Sequence, residues 1–236
     1  MEIDPNLSTV SILLLGFVLG LRHATEADHL AAVSTIVSEK KNLFTASIVG
    51  GLWGVGHTIS LFVVGLIVIL LKIEIPESVE NKLEGCVGVM LVILGINALR
   101  KLFTASEIHA HTHDHGGHAH THFHTHADES AEESHHRFSP RSIVIGMVHG
   151  LAGSAALMLL VVPTIKSTPA ALAYILIFGV GSIGGMMLMS LLIGLPFHFT
   201  AGRFNFLNKG IRLVAGAFSL MLGGSIIYEH FFAAAA

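Results

Sequence analysis

The sequence predicts an all-α integral membrane protein with six transmembrane helices, arranged as two inverted three-helix repeats with a His-rich cytoplasmic loop between them. Apolar residues make up 52% of the 236 residues and charged residues only 12%, and the charges cluster between long stretches that have almost none. In addition, a pattern of glycines and histidines in the first half recurs in the second. Because lipid offers no partners for backbone amides, each apolar stretch of this chain is expected to be helical.

Six apolar segments reach the length of about 20 residues that a bilayer requires. They lie at roughly residues 7–33, 44–71, 83–103, 141–163, 169–196 and 208–232. The chain therefore divides into a first three-helix repeat (1–104), a His-rich loop (105–140), a second repeat (141–232) and four terminal alanines (233–236) interpreted as a cloning remnant.

Lysine and arginine predict the orientation of these helices. Nine of them fall in the connections after segments one, three and five, and three fall on the opposite side. Since cytoplasmic loops are enriched in these residues, we expect a plasma-membrane protein with both termini outside and the long loop in the cytoplasm.

The two halves of the chain align in one register. His149 follows His23 by 126 residues, and Gly179 follows Gly54 by 125. Gly216 and Gly223 follow Gly88 and Gly95 by 128. Three spans per half is an odd number, so the second half must be inverted in the membrane, which is the architecture of secondary transporters with a midplane substrate site.

A polar cluster interrupts the first apolar segment. Polar groups inside a membrane cost several kcal/mol unless they bind a ligand or face water. Imidazole and carboxylate together suit divalent first-row metals. The candidate metal ligands are His23, Asp28, His29, His57 and His149, and Arg22 and Glu26 are candidates for orienting them.

The spacing within this cluster constrains the helix. At about 100° per residue, Asp28 and His29 lie roughly 140° and 240° around an unbroken helix from His23, so the three cannot aim at one point. Either the helix unwinds here, or other ligands come from His57 and His149.

The loop is a low-complexity tract with histidine at nearly every second position. Its histidines are His109, His111, His113, His115, His118, His120, His122, His124 and His126. Such a composition predicts disorder and weak, multivalent capture of a metal ion. A dispensable metal buffer is the alternative.

Residues 22–30, which read Arg-His-Ala-Thr-Glu-Ala-Asp-His-Leu, resemble the signature R-H-A-x-D-A-D-H-I of the nickel/cobalt transporter family (NiCoT or NicO). Gly-His-Thr at 56–58 is similar to the family's second motif. The resemblance implies that His23, Asp28 and His29 bind metal. Glu26 stands where the family has aspartate, and residues 146–154 resemble its short, six-span, urease-accessory-like branch.

These observations predict a secondary transporter that carries Ni²⁺, or Co²⁺, as substrate and needs no cofactor. Import is favoured, because an inside-negative potential drives a divalent ion inward with about 4.6 kcal/mol per 100 mV. Efflux by antiport and a membrane-bound nickel chaperone remain open.

The expected partners are the metal ion, the lipid bilayer and nickel-enzyme accessory proteins, and no nucleic acid. An intramembrane metalloprotease, and with it an enzyme, is not expected because the cluster lacks H-E-x-x-H.

Overall fold

A computed structural model describes residues 5–40, 42–73, 75–104, 108–114, 119–125, 140–151, 165, 167–201 and 203–232. Its elements are α1 (Pro5–His23), α2 (Ala27–Val37), α3 (Leu43–Leu71), α4 (Glu77–Thr104), β1 (Ile108–Asp114), β2 (Ala119–Thr125), α5 (Pro140–Gly150), α6 (Thr168–Thr200) and α7 (Asn205–Phe231).

The described residues include four helices that are long and apolar enough to cross a membrane, namely α3, α4, α6 and α7. A fifth candidate span is the pair α1 and α2, which meet at an angle of 56°. The predicted span at 141–163 is helical through Gly150, where α5 ends, and residues 152–163 lie outside the described part of the chain. Multiple membrane-spanning helices are thus present, and the number six stays a prediction.

The break between α1 and α2 has a local cause. The backbone N–H of Thr25 donates to the carbonyl of Arg22 at 2.8 Å, and the Thr25 hydroxyl donates to the same oxygen at 2.6 Å. The N–H of Glu26 then donates to His23 at 3.0 Å, again three residues back. These tight turns replace the regular α-helical ladder, and Glu26 adopts an extended conformation before α2 begins.

Glycines let the helices of the bundle approach until their backbones touch. A Cβ atom at Gly20 of α1 would collide with the Phe178 carbonyl of α6. The same collision would occur between Gly146 of α5 and the Trp53 carbonyl of α3. The two contacts are equivalent in the repeat, because Gly146 follows Gly20 by 126 residues and Phe178 follows Trp53 by 125.

Other glycine contacts also have a counterpart in the opposite half of the chain. Gly56 faces Ile143, and Gly181 faces Phe17; α4 and α7 meet through Gly88 with Gly223 and Gly95 with Gly216. As a result α1 packs on α6, α3 packs on both α5 and α6, and α4 packs on α7.

The His-rich tract, for which the composition predicted disorder, contains an antiparallel hairpin of β1 and β2. Its register pairs His109 with His124, His111 with His122 and His113 with His120. Alternation of histidine with threonine, alanine and phenylalanine has the two-residue period of a strand, which the composition argument did not weigh. His115, His118 and His126 lie outside the described residues.

Candidate metal centre

Four histidines from four different helices meet inside the bundle. His23 ends α1, His29 lies in the first turn of α2, His57 is in the middle of α3, and His149 is near the end of α5. Each is at most 2% exposed. The His29 ring centroid lies 4.3 Å from that of His23 and 4.2 Å from that of His149. The first span is broken between α1 and α2, and histidines from α3 and α5 also join the cluster. That these histidines are metal ligands stays a prediction.

His23 and His57 face each other directly. Their Nε2 atoms are 3.2 Å apart. On the other side of the His23 ring, Nδ1 lies 3.0 Å from Glu26 Oε2, although not in hydrogen-bond geometry. A proton on Nδ1, next to this carboxylate, leaves the Nε2 lone pair directed at His57. Two ring nitrogens this close can share a proton or a cation.

Asp28 holds the two remaining histidines. Its Oδ1 accepts a hydrogen bond from the backbone N–H of His29 at 2.9 Å and lies 3.0 Å from Nδ1 of the same residue. Its Oδ2 lies 3.0 Å from Nε2 of His149. When His29 donates from Nδ1 to Asp28, its Nε2 carries the lone pair. Metal-binding histidines commonly donate their other ring N–H to a carboxylate in this way.

Several ring nitrogens of the cluster are buried without a hydrogen-bond partner among the described residues. They are Nδ1 of His23, Nε2 of His29, Nδ1 of His57 and Nδ1 of His149. A buried polar atom without a partner costs about 1–3 kcal/mol. A bound cation would offset this cost at those nitrogens that carry a lone pair.

The donor atoms form two groups that share His29. One contains His23, His29 and His57, and the other contains Asp28, His29 and His149. Within each group, all donor atoms lie within 4.8 Å of one another. Around an ion with bonds of about 2.1 Å, ligand atoms lie about 3–4 Å apart, so a small closure would complete either set.

The donors are nitrogen and oxygen, without sulfur. Cys86, the single cysteine of the chain, is exposed on α4 and lies in neither group. Imidazole with carboxylate suits nickel, cobalt or zinc, whereas a soft copper(I) ion prefers thiolate or thioether ligands.

The structure thus brings together His23, Asp28, His29, His57 and His149 and puts Glu26 beside His23. It does not place the Arg22 side chain in the cluster: that side chain is exposed, and the residue contributes its backbone carbonyl to the turn after α1. The loop histidines stay a prediction.

Two aromatic residues that the motifs did not identify also border the cluster. The Trp53 ring centroid lies 5.3 Å from those of His29 and His149. Phe178 lies 5.6 Å from His23. The repeat contained the signal for both, because Trp53 precedes His57 by four residues and Phe178 precedes Ser182, the counterpart of His57, by the same number.

Comparison of the sequence with known proteins identifies the family of this chain. A sequence profile named NicO and described as a high-affinity nickel-transport protein matches residues 9–224. The chain belongs to the NicO family. Urease accessory protein UreH of Bacillus sp. (strain TB-90) is 40% identical over 225 residues, which cover 93% of this chain and 92% of UreH. Membership confirms the resemblance seen in residues 22–30, and it assigns the chain to a transport family and not to an enzyme family.

The chain is also similar to two plant proteins. The chloroplast proteins FOR GROWTH AND FERTILITY 1 and 2 of Arabidopsis thaliana are 26% and 24% identical over 222 and 219 residues. Each alignment covers 92% of this chain, but only 59% and 56% of the plant proteins. No solved structure matches the chain significantly.

Proposed function

We propose that the protein is a secondary transporter that imports Ni²⁺, with Co²⁺ as a second substrate, across the cytoplasmic membrane. One observation carries this proposal: four buried histidines from four helices meet in two donor groups that share His29, and several of their ring nitrogens lack a partner among the described residues. The nickel-transport description of the family supports the choice of metal.

The proposed site combines the two donor groups. Nickel exchanges its water shell for the ring nitrogens of His23, His29 and His57, while the Asp28 carboxylate supplies negative charge and orients His29. His149 provides a further ligand beside Asp28. Imidazole and carboxylate ligands suit a divalent first-row ion.

Alternating access follows from the two halves of the chain. The paired glycine contacts support an inverted repeat. Gly20 at Phe178 and Gly181 at Phe17 have counterparts in Gly146 at Trp53 and Gly56 at Ile143, at offsets of 125 or 126 residues, and the two contacts between α4 and α7 are related by an offset of 128. In such a transporter the halves rock against each other around a midplane site. The cluster lies where α1, α2 and α3 of the first half meet α5 of the second.

Both termini are proposed to lie outside the cytoplasm and the His-rich loop inside it, supported by the nine-to-three distribution of lysine and arginine. On that side the loop histidines would receive nickel leaving the site. The hairpin register, which pairs histidine with histidine three times, supports such a role.

Delivery of nickel to an enzyme is a second candidate function, and the name of UreH, a urease accessory protein, favours it. The same residues would then bind nickel without a complete transport cycle. The two functions differ in whether the purified chain alone moves nickel through a bilayer.

The deciding experiment measures radioactive nickel flux into proteoliposomes that contain only this chain. We expect uptake that rises with an inside-negative potential, that His57→Ala abolishes and that His198→Ala preserves, because His198 is exposed and outside both donor groups. Nickel binding without flux in the folded wild-type protein would reject transport and favour delivery.

A further inference from the structure

Two buried aromatic side chains stand at opposite ends of the histidine cluster. We infer that Trp53 and Phe178 are the two gates of the metal path, Trp53 toward the end of the bundle where α4 ends and α5 begins, called the loop end, and Phe178 toward the far end. The inference rests on the proposed transport function and names the residues that close the path on each side.

A cavity of about 250 Å³ approaches the cluster from the loop end. It lies between α2, α3, α4 and α5, and its polar lining includes Thr35, Asn97 and Ser142. At its rim, Lys101 and Glu39 form an exposed ion pair at 2.7 Å. Since Ile145 also lines the cavity and precedes His149 by four residues on α5, the cavity ends about 6 Å of helix short of the cluster.

Trp53 occupies the space between this cavity and the histidines. Ile36 and Val49 line the cavity and also a narrow gap bordered by Trp53, and this gap has no room for water. Behind it the Trp53 ring, 1% exposed, lies against the rings of His29 and His149. Moving this indole would therefore join the cavity to the metal site.

Phe178 lies farther from the loop end than Trp53 and borders the cluster at His23. Helix α6 runs antiparallel to α3, because Gly179 faces Thr58 whereas Ser190 faces Gly50. Thr58 is five residues, or about 7.5 Å of helix, farther from the loop end than Trp53. Phe178 is fully buried next to His23.

Apolar side chains fill the region around Phe178. Leu61, Tyr174 and Ile175 are each at most 1% exposed and form one packed cluster with it. Among the described residues, packed side chains therefore close the far end, while at the loop end the cavity reaches the narrow gap that Trp53 borders.

The two aromatic residues are also equivalents in the repeat. Phe178 follows Trp53 by 125 residues, and each has its carbonyl in contact with a glycine of the opposite half, Gly20 at Phe178 and Gly146 at Trp53. Movement of α5 against Trp53 would open the loop end, and movement of α1 against Phe178 would open the far end. One rocking motion can thus open one gate while it closes the other.

A single cysteine between the gates tests this inference. Ser182→Cys, introduced together with Cys86→Ala, changes a buried hydroxyl that has no partner among the described residues and that is the counterpart of His57. A membrane-impermeant thiol reagent is added from the loop side or the far side of sealed vesicles. Trp53 and Phe178 are then substituted, one at a time, in the chain that carries Ser182→Cys and Cys86→Ala.

We expect Trp53→Ala to raise the rate of labelling from the loop side by at least about tenfold, and Phe178→Ala to do so from the far side, because reactivity follows the population of the open state. Trp53→Phe should restore slow labelling. If Trp53→Ala does not fold, Ile36→Ala widens the same constriction with a smaller loss of core volume.

Nickel flux through the wild-type chain separates failure of the gates from failure of the proposed function. Labelling that the folded gate variants leave unchanged, or that increases from the wrong side, overturns the inference even if nickel is transported. Side-specific labelling in a chain that moves no nickel would reject the proposed substrate and still support the two gates.

Discussion

Gly146→Ala should weaken nickel binding without unfolding the protein. Gly146 lets α5 touch α3, and a Cβ atom there would lie 2.8 Å from the Trp53 carbonyl carbon and 2.8 Å from Cδ1 of its indole. Carbon atoms at rest are about 3.5 Å apart or more. The carbonyl belongs to the backbone and cannot rotate away, so α5 has to move by at least about 0.7 Å.

This displacement acts directly on the proposed site. His149 lies three residues after Gly146, about 4.5 Å along the helix, and so moves with it. Its Nε2 lies 3.0 Å from Asp28 Oδ2, a distance that cannot grow by 0.7 Å without loss of the bond. Metal–ligand distances tolerate only about 0.2 Å. Since loss of a partner of this kind costs about 10–100-fold in metal affinity, we expect a decrease in that range.

Equilibrium dialysis of the purified protein with radioactive nickel measures this effect, and thermal unfolding monitors the fold. Gly224→Ala is the matched control, because Gly224 is exposed on α7 and a Cβ there would meet no atom within 4 Å. Alanine also favours helix over glycine by about 1 kcal/mol, so neither variant should lose helical structure. Wild-type nickel affinity in folded Gly146→Ala would refute the reasoning.

The other predictions concern the carboxylate, the tryptophan and the loop. Asp28→Asn should lower nickel affinity by about 10–100-fold in dialysis, because an amide has one acceptor oxygen for the two rings that the carboxylate holds; unchanged affinity would contradict this role. Trp53 is the single tryptophan of the chain and lies beside His29, so nickel should quench its fluorescence saturably and magnesium should not. In that titration, His29→Ala should abolish the saturable component, and its persistence would argue against the site. Replacing residues 105–139 with a Gly/Ser linker of equal length should change the apparent affinity for transport but preserve flux through proteoliposomes, whereas complete loss of flux would make the loop essential.

The break in the first span illustrates what local sequence can predict. The rotation per residue shows that an unbroken helix cannot aim His23, Asp28 and His29 at one point, so the sequence predicted either a broken helix or ligands from other helices. Which carbonyl the Thr25 hydroxyl binds, and the resulting angle of 56°, depend on the folded turn.

The His-rich tract and the gates show two limits of sequence reasoning. Composition predicted disorder between the two halves, while the alternation of residues 108–114 and 119–125 favoured strands, and the two signals conflicted. Trp53 and Phe178 were missed because a buried aromatic residue in an apolar helix has the same sequence pattern whether it fills a core or closes a path.

The sequence by itself determined that this is a membrane protein of the NicO family, because apolar length and the motif at residues 22–30 do not depend on packing. The sequence also showed that glycines of the first half recur in the second half at nearly constant offsets. Only the tertiary structure decided that His57 and His149 reach His23 and His29, that Asp28 bridges two rings, and that Arg22 stays outside. The physical reason is that these contacts join different helices. The distances between those helices depend on where glycines let their backbones touch, and local preferences of the chain do not determine them.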